Sequence, residues 1–429
     1  MSSLLCIQYI HIILIIINDW QLKCNSFILF LLWNDRRDFC IIKEKLQGGF
    51  LMSIQLAIIG MGVMGCKYAQ MIHSGHVSGI KIAAVTRITP ERKEQLKDIF
   101  VQDIPIYNSA ADLFENVREG KIKLDAVLIV TPHLSHEEIA VEAMQIGLHV
   151  LCDKPSGAYR SQARRMNEEA AKQPELKFGM MFNQRMNPVF KKMKEIVSSG
   201  IYGKIRRINW IMTDWYRPES YYASGGWRGT WDKEGGGILL NQCPHNLDLL
   251  QWICGMPSSI QAFCYEGKYH NIEVEDEVTA YLQYENGATG TLYATTGEAS
   301  GINRFEISLE NALLVFENNE LNIRELEESE AEFRADSKDM FGQPKAHWKK
   351  IEIDEKDLAH AGVLQNFADS IISESELYIS GTEGIKSLTL SNAMYLSSWK
   401  GQMIHIPDNT DEETFFEKTF EDEMQKKIQ

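Results

Sequence analysis

Residues 54–75 read "IQLAIIGMGVMGCKYAQMIHSG", and the reading of the fold turns on the glycines at its centre. The opening run, "IQLAIIG", has the unbroken apolar character of a strand buried on both faces, as strands of parallel sheets are. It passes straight into Gly60-x-Gly62-x-x-Gly65, and "CKYAQMIHSG" follows as a short helical segment ended by Gly75. In that order the first glycine permits a tight turn and the second lets backbone approach a pyrophosphate. The third allows close helix–strand packing, with the positive helix N-terminus turned to the phosphates. A glycine triplet alone is a weak signal; the strand before it and the helix after it make this one specific. Gly60, Met61, Gly62, Val63, Met64 and Gly65 are thus candidate dinucleotide-binding residues.

Working outward, the next strand, "IKIAAVTR", ends where such folds read the adenosine ribose. A carboxylate there bonds the 2′-hydroxyl, whereas an arginine can pair with a 2′-phosphate. The chain carries Thr86 and Arg87, which favours NADP over NAD; the bland alternative is that Arg87 is a solvated loop residue. "LDAVLIVTP" is another buried strand, "HLSHEEIAVEAMQIG" has helical spacing, and "LHVLCDKP" is a strand ending in Asp153, Lys154 and Pro155. Alternation of this kind predicts a doubly wound parallel sheet with ligands at the carboxyl ends of its strands. Lys154 stands at such an end.

Beyond about residue 175 the style changes. Strands dominate in "KIRRINWIMTDWYR", "SSIQAFCYEG", "DEVTAYLQYENGATGTLYATTG" and "NRFEISLENALLVFENN", with an Asn-Gly hairpin signature inside the third. Helices return in "HAGVLQNFADSIISE" and "TEGIKSLTLSNAMYLSSWKG". The expectation is a Rossmann domain over 53–175 and an α+β domain over 176–406 with a largely antiparallel open sheet. The uncovered face of that sheet is a candidate for oligomerisation. The tail from 407 to 429 holds eight acidic and three basic residues and is expected to be a solvated helix or a frayed end.

The first 51 residues look different. "IHIILIII" and "FILFLLW" fall short of the roughly 18 to 20 apolar residues of a membrane helix, and "MSSLLCIQYI" lacks the basic start of a secretory signal. Gln47-Gly48-Gly49 can be encoded by CAA GGA GGA, a bacterial ribosome-binding sequence, at normal spacing before Met52. The expectation is that translation starts at Met52 and that 1–51 is translated AT-rich noncoding DNA.

A length of 429 residues leaves room for two domains with sizeable cores. The net charge of −15 argues against a general nucleic-acid or anionic-membrane binder. Eight scattered cysteines without C-x-x-C or paired metal spacing point to free thiols in a reducing cytoplasm and to no metal site.

One stretch stands apart in chemistry: "EGGGILLNQCPHNLDLLQW", residues 234–252. On a helix Asn241, His245 and Asp248 share a stripe, although Pro244 kinks the helix or starts a new one. Such a histidine is either a satisfied core residue or a catalytic base. The aromatic stretch before it offers Trp215, Tyr216, Tyr222, Trp227, Arg228 and Trp231 as walls of a ligand pocket, or equally as a packed loop.

Taken together, "AIIGMGVMG", "DAVLIVTPHLSH", "CDKP", "GMMFNQRMNP", "GGGILLNQCPHNLDLLQWICG" and "SGTEGIKSLTLSNAMYLSS" resemble the glucose–fructose oxidoreductase / inositol dehydrogenase / rhizopine-catabolism (Gfo/Idh/MocA) family over about 53–406. The resemblance implies NAD(P)-dependent oxidation or reduction of a secondary alcohol on a sugar, cyclitol or related polyol. The lysine of the family's Glu-Lys-Pro motif maps onto Lys154, and its Asp-x-x-x-His pair onto Asn241 and His245. The resemblance also implies that Thr131, Pro132, His136 and Asp153 meet the cofactor, and that Asn183 and Arg185 neighbour substrate or cofactor.

Two departures matter. Asp153 replaces the usual glutamate, a small change, and Asn241 replaces the usual aspartate. An amide takes up no proton at neutral pH, which throws the base role onto His245, with an intrinsic pKa of about 6.5. Lys154 then stabilises the alkoxide, Asn241 orients substrate or histidine, Asp248 holds a partner, and the glycines of 235–237 let the chain approach the nicotinamide. The expected partners are a small sugar or polyol and a second copy of the chain, as a homodimer or homotetramer. Two other readings stay open: a glycosidase that oxidises its sugar transiently, and a non-catalytic dinucleotide-binding regulator.

Overall fold

The computed structural model of the protein describes residues 27–33, 39–47, 50–51, 53–101 and 104–429. Met52 lies outside the described residues, as do Cys6, Cys24 and residues 1–26 altogether. Strands β1 (Phe27–Trp33), β2 (Phe39–Gln47) and β3 (Phe50–Leu51) form a small antiparallel sheet of their own.

The chain divides into two compact units, one of 1–130, 146–150 and 364–378, the other of 131–145, 151–363 and 379–429. The parallel sheet is built from β4 (Ile54–Ile59), β5 (Ile80–Thr86), β6 (Ile106–Tyr107), β7 (Ala126–Ile129), β8 (His149–Cys152) and β9 (Phe178–Met180). Its order is β6-β5-β4-β7-β8-β9. Ile59 pairs with Ile129 on one side and Thr86 on the other, so the carboxyl ends of the central strands are level. All four residues of β7 and all but Gln55 of β4 are buried, which is why these segments read as unbroken apolar runs. Connecting helices are set by local signals. Ser109 caps Ala110–Arg118 by accepting from Asp112 N at 3.0 Å, and Pro90 opens Pro90–Gln95 behind Thr89.

The second sheet contains β10 (Ile205–Met212), β11 (Ser259–Glu266), β12 (Glu275–Gln283), β13 (Thr289–Thr295) and β14 (Asn303–Leu309). It is completed by β15 (Ala312–Glu317), β16 (Glu320–Leu326), β17 (Ala346–Ile351) and β18 (Ile404–His405), in the order β17-β16-β15-β14-β10-β13-β12-β11-β18. Every pairing in it is antiparallel except β10 with β13, which is parallel. Alternation sorts its faces: Val278, Ala280 and Leu282 point into a core shared with Leu250, Leu390 and Met394. Phe263, Tyr265 and Tyr281 are 56%, 48% and 38% exposed on the opposite face.

Two expectations change here. The tail is neither solvated nor frayed: helix Thr410–Ile428 buries Phe416, Phe420 and Met424, and its Glu417 pairs with Arg160 and, at 2.9 Å, with Arg164. The stripe of Asn241, His245 and Asp248 is split, because one helix ends at Asn241 and a second begins at Pro244. Proline suits the first position of a helix, where its missing N–H is not needed. Among the described residues no helix is long and apolar enough to cross a membrane.

Candidate active site

The glycine loop has the geometry of a phosphate cradle. Gly60 has φ +102°, in the region open to glycine. A methyl group at Gly65 would lie 2.1 Å from the Gly60 carbonyl oxygen, so helix Val63–His73 packs against the turn as only glycine allows. At Gly62, the N-cap, such a methyl would meet no protein atom within 4 Å. The helix has neither a side-chain cap nor an acidic residue in its first turn. Its N-terminus therefore carries no cap or acidic residue of its own, and the loop fits a pyrophosphate.

Thr86 is buried, and its hydroxyl accepts from Gly60 N at 3.0 Å, so it braces the loop rather than facing outward. Arg87 is exposed, in a left-handed conformation with φ +52°, and its N–H bonds the Tyr107 carbonyl at 3.0 Å. Arg92, which the sequence reading passed over, donates from Nη1 to the Met61 carbonyl at 3.0 Å, placing a second cation on the glycine loop.

In the other unit, Lys154 follows β8 directly. Asp153 Oδ1 accepts from Lys154 N at 2.8 Å, and the Lys154–Pro155 peptide is cis. Lys154 Nζ donates to the backbone carbonyl of Asn241 at 2.8 Å. Burial pulls the ammonium pKa below its ordinary value, opposed by Asp153 and Glu234. His245 opens the next helix. Burial, with the positive charges of Lys154 and His360, holds its pKa well below 6.5, so it is a neutral imidazole at neutral pH. Its Nδ1 is buried and has no hydrogen-bond partner among the described residues.

Asn241 does not orient that histidine. Its Nδ2 donates to Glu234 Oε1, and its Oδ1 accepts from Tyr221 OH at 3.3 Å. Neither Glu234 nor Tyr221 was singled out from the sequence. Glu234 reads as a charge in a loop, and the turn that aims it inward is tertiary. The glycines of 235–237 serve the protein's own packing, not a ligand's approach. A methyl at Gly237 would sit 1.9 Å from the Glu275 carbonyl oxygen, and one at Gly236 would sit 2.2 Å from Tyr395 OH.

Other expected residues are distributed as follows. Arg185 is buried and committed: Nε and Nη2 donate to the Asp248 carboxylate at 2.8 and 2.6 Å, with Glu383 at 3.2 Å. That pairing gives Asp248 its partner. Asn183 is buried, and its Oδ1 has no hydrogen-bond partner among the described residues. His136 lies between the Thr131 and Pro155 carbonyls, each 2.7 Å away, and ties the Thr131–Pro132 turn to the segment after Lys154. Trp227 packs edge-on to buried His133, and Arg228 lies over both Trp227 and Tyr221. Tyr216 is exposed, Tyr222 OH pairs with Thr296 Oγ1 at 3.0 Å, and Trp231 is core, packed on Tyr395 and Trp399. Trp231 therefore walls no sugar pocket. Among the described residues no group of three His, Cys, Asp or Glu side chains is placed to hold a metal ion.

Comparison with known proteins bears on this arrangement. Residues 54–180 match a family model described as "Oxidoreductase family, NAD-binding Rossmann fold", and residues 190–315 match the GFO/IDH/MocA C-terminal domain, together more than half of the chain. The chain is similar to myo-inositol 2-dehydrogenase of Thermotoga maritima, 24% identical over 56% of this chain and 67% of the relative. It is also similar to levoglucosan dehydrogenase of Pseudarthrobacter phenanthrenivorans, 24% identical over 68% of this chain and 79% of the relative. Among solved structures, the WlbA dehydrogenase of Bordetella pertussis, in complex with NADH and UDP-GlcNAcA, superposes with TM-score 0.68 at 22% identity. That match covers 83% of this chain and all of the other.

Proposed function

Because this chain belongs to the Gfo/Idh/MocA oxidoreductase family, we propose that its reaction is hydride transfer between a nicotinamide dinucleotide and a secondary alcohol or ketone of a sugar, cyclitol or related polyol. The observation that carries this reading is the pairing of Lys154, a cation fixed on the Asn241 carbonyl, with the neutral imidazole of His245 four residues further on. When bound, the nicotinamide accepts or returns the hydride. The glycine loop holds the pyrophosphate through backbone N–H groups, and Arg87 reads the adenosine end, with a 2′-phosphate as its preferred partner. His245 takes the hydroxyl proton as the alcohol is oxidised, and Lys154 donates to the same oxygen and stabilises the developing alkoxide. Asn183, whose buried Oδ1 has no partner among the described residues, accepts from a substrate hydroxyl.

The myo-inositol and levoglucosan dehydrogenase names of the relatives support the polyol class. The exposed aromatic face of β11 and β12 supports a homo-oligomer in which a second copy covers that face. A cytoplasmic location belongs to the same reading, supported by the free thiols of Cys66, Cys152, Cys243, Cys254 and Cys264. The test is a spectrophotometric screen of the full chain with NAD and NADP against inositols, aldoses, sugar acids and anhydrosugars. Reduction of either dinucleotide by one of these classes supports the proposal. Tight dinucleotide binding with no turnover on the whole panel refutes it.

A further inference from the structure

Asn241 presents an electrostatic puzzle. Its backbone carbonyl carries the Lys154 ammonium, yet its side chain is an uncharged amide in a buried site. That amide is the middle link of a chain whose ends are oppositely charged. Arg228 Nη1 donates to Tyr221 OH at 2.6 Å, Tyr221 OH donates to Asn241 Oδ1 at 3.3 Å, and Asn241 Nδ2 donates to Glu234 Oε1. Gln242 Nε2 also donates to Tyr221 OH, at 3.2 Å, which fixes the phenol as donor toward Asn241. Only the amide nitrogen can donate to a carboxylate, so the charged ends determine which way round the amide lies.

Glu234 is 2% exposed, and its other oxygen accepts from Gly229 N at 2.5 Å. The cations acting on its carboxylate are Arg228 and Lys154, and the hydroxyls of Tyr221 and Tyr222 stand nearby. Its backbone carbonyl faces His133 Nδ1 at 3.2 Å. Two carboxylates favour the Lys154 ammonium: Asp153, whose Oδ1 bonds the Lys154 N–H, and Glu234.

We propose that Glu234 is a positioning residue of this site: through the Asn241 amide it fixes the segment that carries Lys154, and it supplies the negative charge that Asn241 lacks opposite the ammonium. This rests on the reading of Lys154 as the group that stabilises the alkoxide. A buried ammonium is costly without a nearby anion. With the anion one link away, Lys154 stays protonated while its Nζ remains a donor to substrate.

The test uses the full chain labelled with [13Cε]lysine, the Lys154 resonance being assigned by its loss in Lys154→Met. Glu234→Gln should lower the Lys154 titration midpoint by about one pH unit or more, a tenfold weaker hold on the proton. The kcat–pH profile should lose its alkaline limb by the same amount. Glu234→Asp, which keeps the charge, should hold the midpoint near that of the parent. Asn241→Asp combined with Glu234→Gln returns the charge one link along, with a glutamine amide able to donate to it. This double variant should restore the midpoint and most of the turnover, even where Glu234→Gln alone fails to fold.

A merely structural Glu234, tying down the Gly229 turn, leaves the Lys154 midpoint in place, and that result overturns the inference. So does a double variant whose midpoint stays tenfold low. The two readings fail separately. A shifted midpoint in a protein that turns over no polyol sinks the dehydrogenase and leaves the charge pairing. Turnover with an unmoved midpoint does the reverse.

Discussion

Two glycine clusters in this chain look alike on paper and do opposite work. In the first cluster Gly65 packs on the Gly60 carbonyl, but Gly62 borders an opening: a methyl there would touch nothing, and the helix behind it has no side-chain cap. Gly235, Gly236 and Gly237 surround protein: methyl groups there would fall on Ala158, Tyr395 and the Glu275 carbonyl. The first cluster keeps room for a guest, and the second is filled by the domain's own atoms so that the helix after it can start against β12. A missing side chain marks a close approach, but only the packing around it says whether the visitor is a ligand or the protein itself.

The sharpest way to break this contrast is to add one methyl group to each cluster. Gly237→Ala drives a carbon into backbone that cannot swing aside, and overpacking of this kind costs about 3 kcal/mol or more. The variant should be insoluble or melt far below the parent. Gly62→Ala should melt with the parent, because its φ of −73° suits any residue, yet lose about tenfold or more in NADH affinity by fluorescence titration. Equal melting of the two variants would erase the distinction.

The next largest effect falls at the chemistry beside the filled cluster. His245→Ala should reduce kcat by about a hundredfold to ten-thousandfold, the usual worth of a general acid–base group, with dinucleotide affinity nearly unchanged. Near-normal kcat at neutral pH would return His245 to the core-histidine reading.

Much of this was legible in the sequence, and the limits have identifiable causes. The buried strands β4 and β7 announce themselves because both their faces are apolar. Pro244 correctly signals a new helix start. Strands β16 and β17 were missed because "ELNIREL" and "AHWKKI" carry mostly polar residues: β17 is the exposed edge of the sheet, and β16 beside it buries only Leu321 and Ile323. In the tail, eight acidic residues drowned out the spacing of Phe416, Phe420 and Met424, which is the i, i+4 pattern of a docked helix face. Glu234 and Tyr221 were beyond reach for a different reason. Their meeting with Asn241 depends on how residues 221–237 fold back, and no periodicity records that.

A smaller effect sharpens the ligand side. Arg87→Asp removes a cation from the 2′-phosphate and offers a carboxylate to the 2′-hydroxyl. Charge-assisted phosphate contacts are worth about 1.5 to 3 kcal/mol, so the NADP-to-NAD ratio of kcat/KM should fall roughly tenfold to a hundredfold. An unchanged ratio would move the reading of the adenosine end to Arg92, already seated on the Met61 carbonyl.

The smallest effect tests the filled cluster through pH. Glu275 is wholly buried and accepts from Gly237 N and Leu239 N at 2.9 Å each and from Tyr395 OH at 2.7 Å. Burial, only partly offset by these donors, pushes its pKa from 4.5 up to about 7. The folded state therefore binds this proton more tightly than the unfolded chain does. The stability this contributes is fully present below about pH 4.5 and is lost as pH rises to about 7, where the fold must hold a buried anion. A shift of that size corresponds to about 3 kcal/mol across the window. Glu275→Gln removes the titration and keeps an acceptor oxygen, so the variant should gain on the parent steadily between pH 5 and pH 8 in denaturant melts, by up to about 3 kcal/mol. Parallel stability curves for the two proteins over that range would show that the carboxylate behind the second glycine cluster is ionised throughout, held by its donors as an ordinary helix cap.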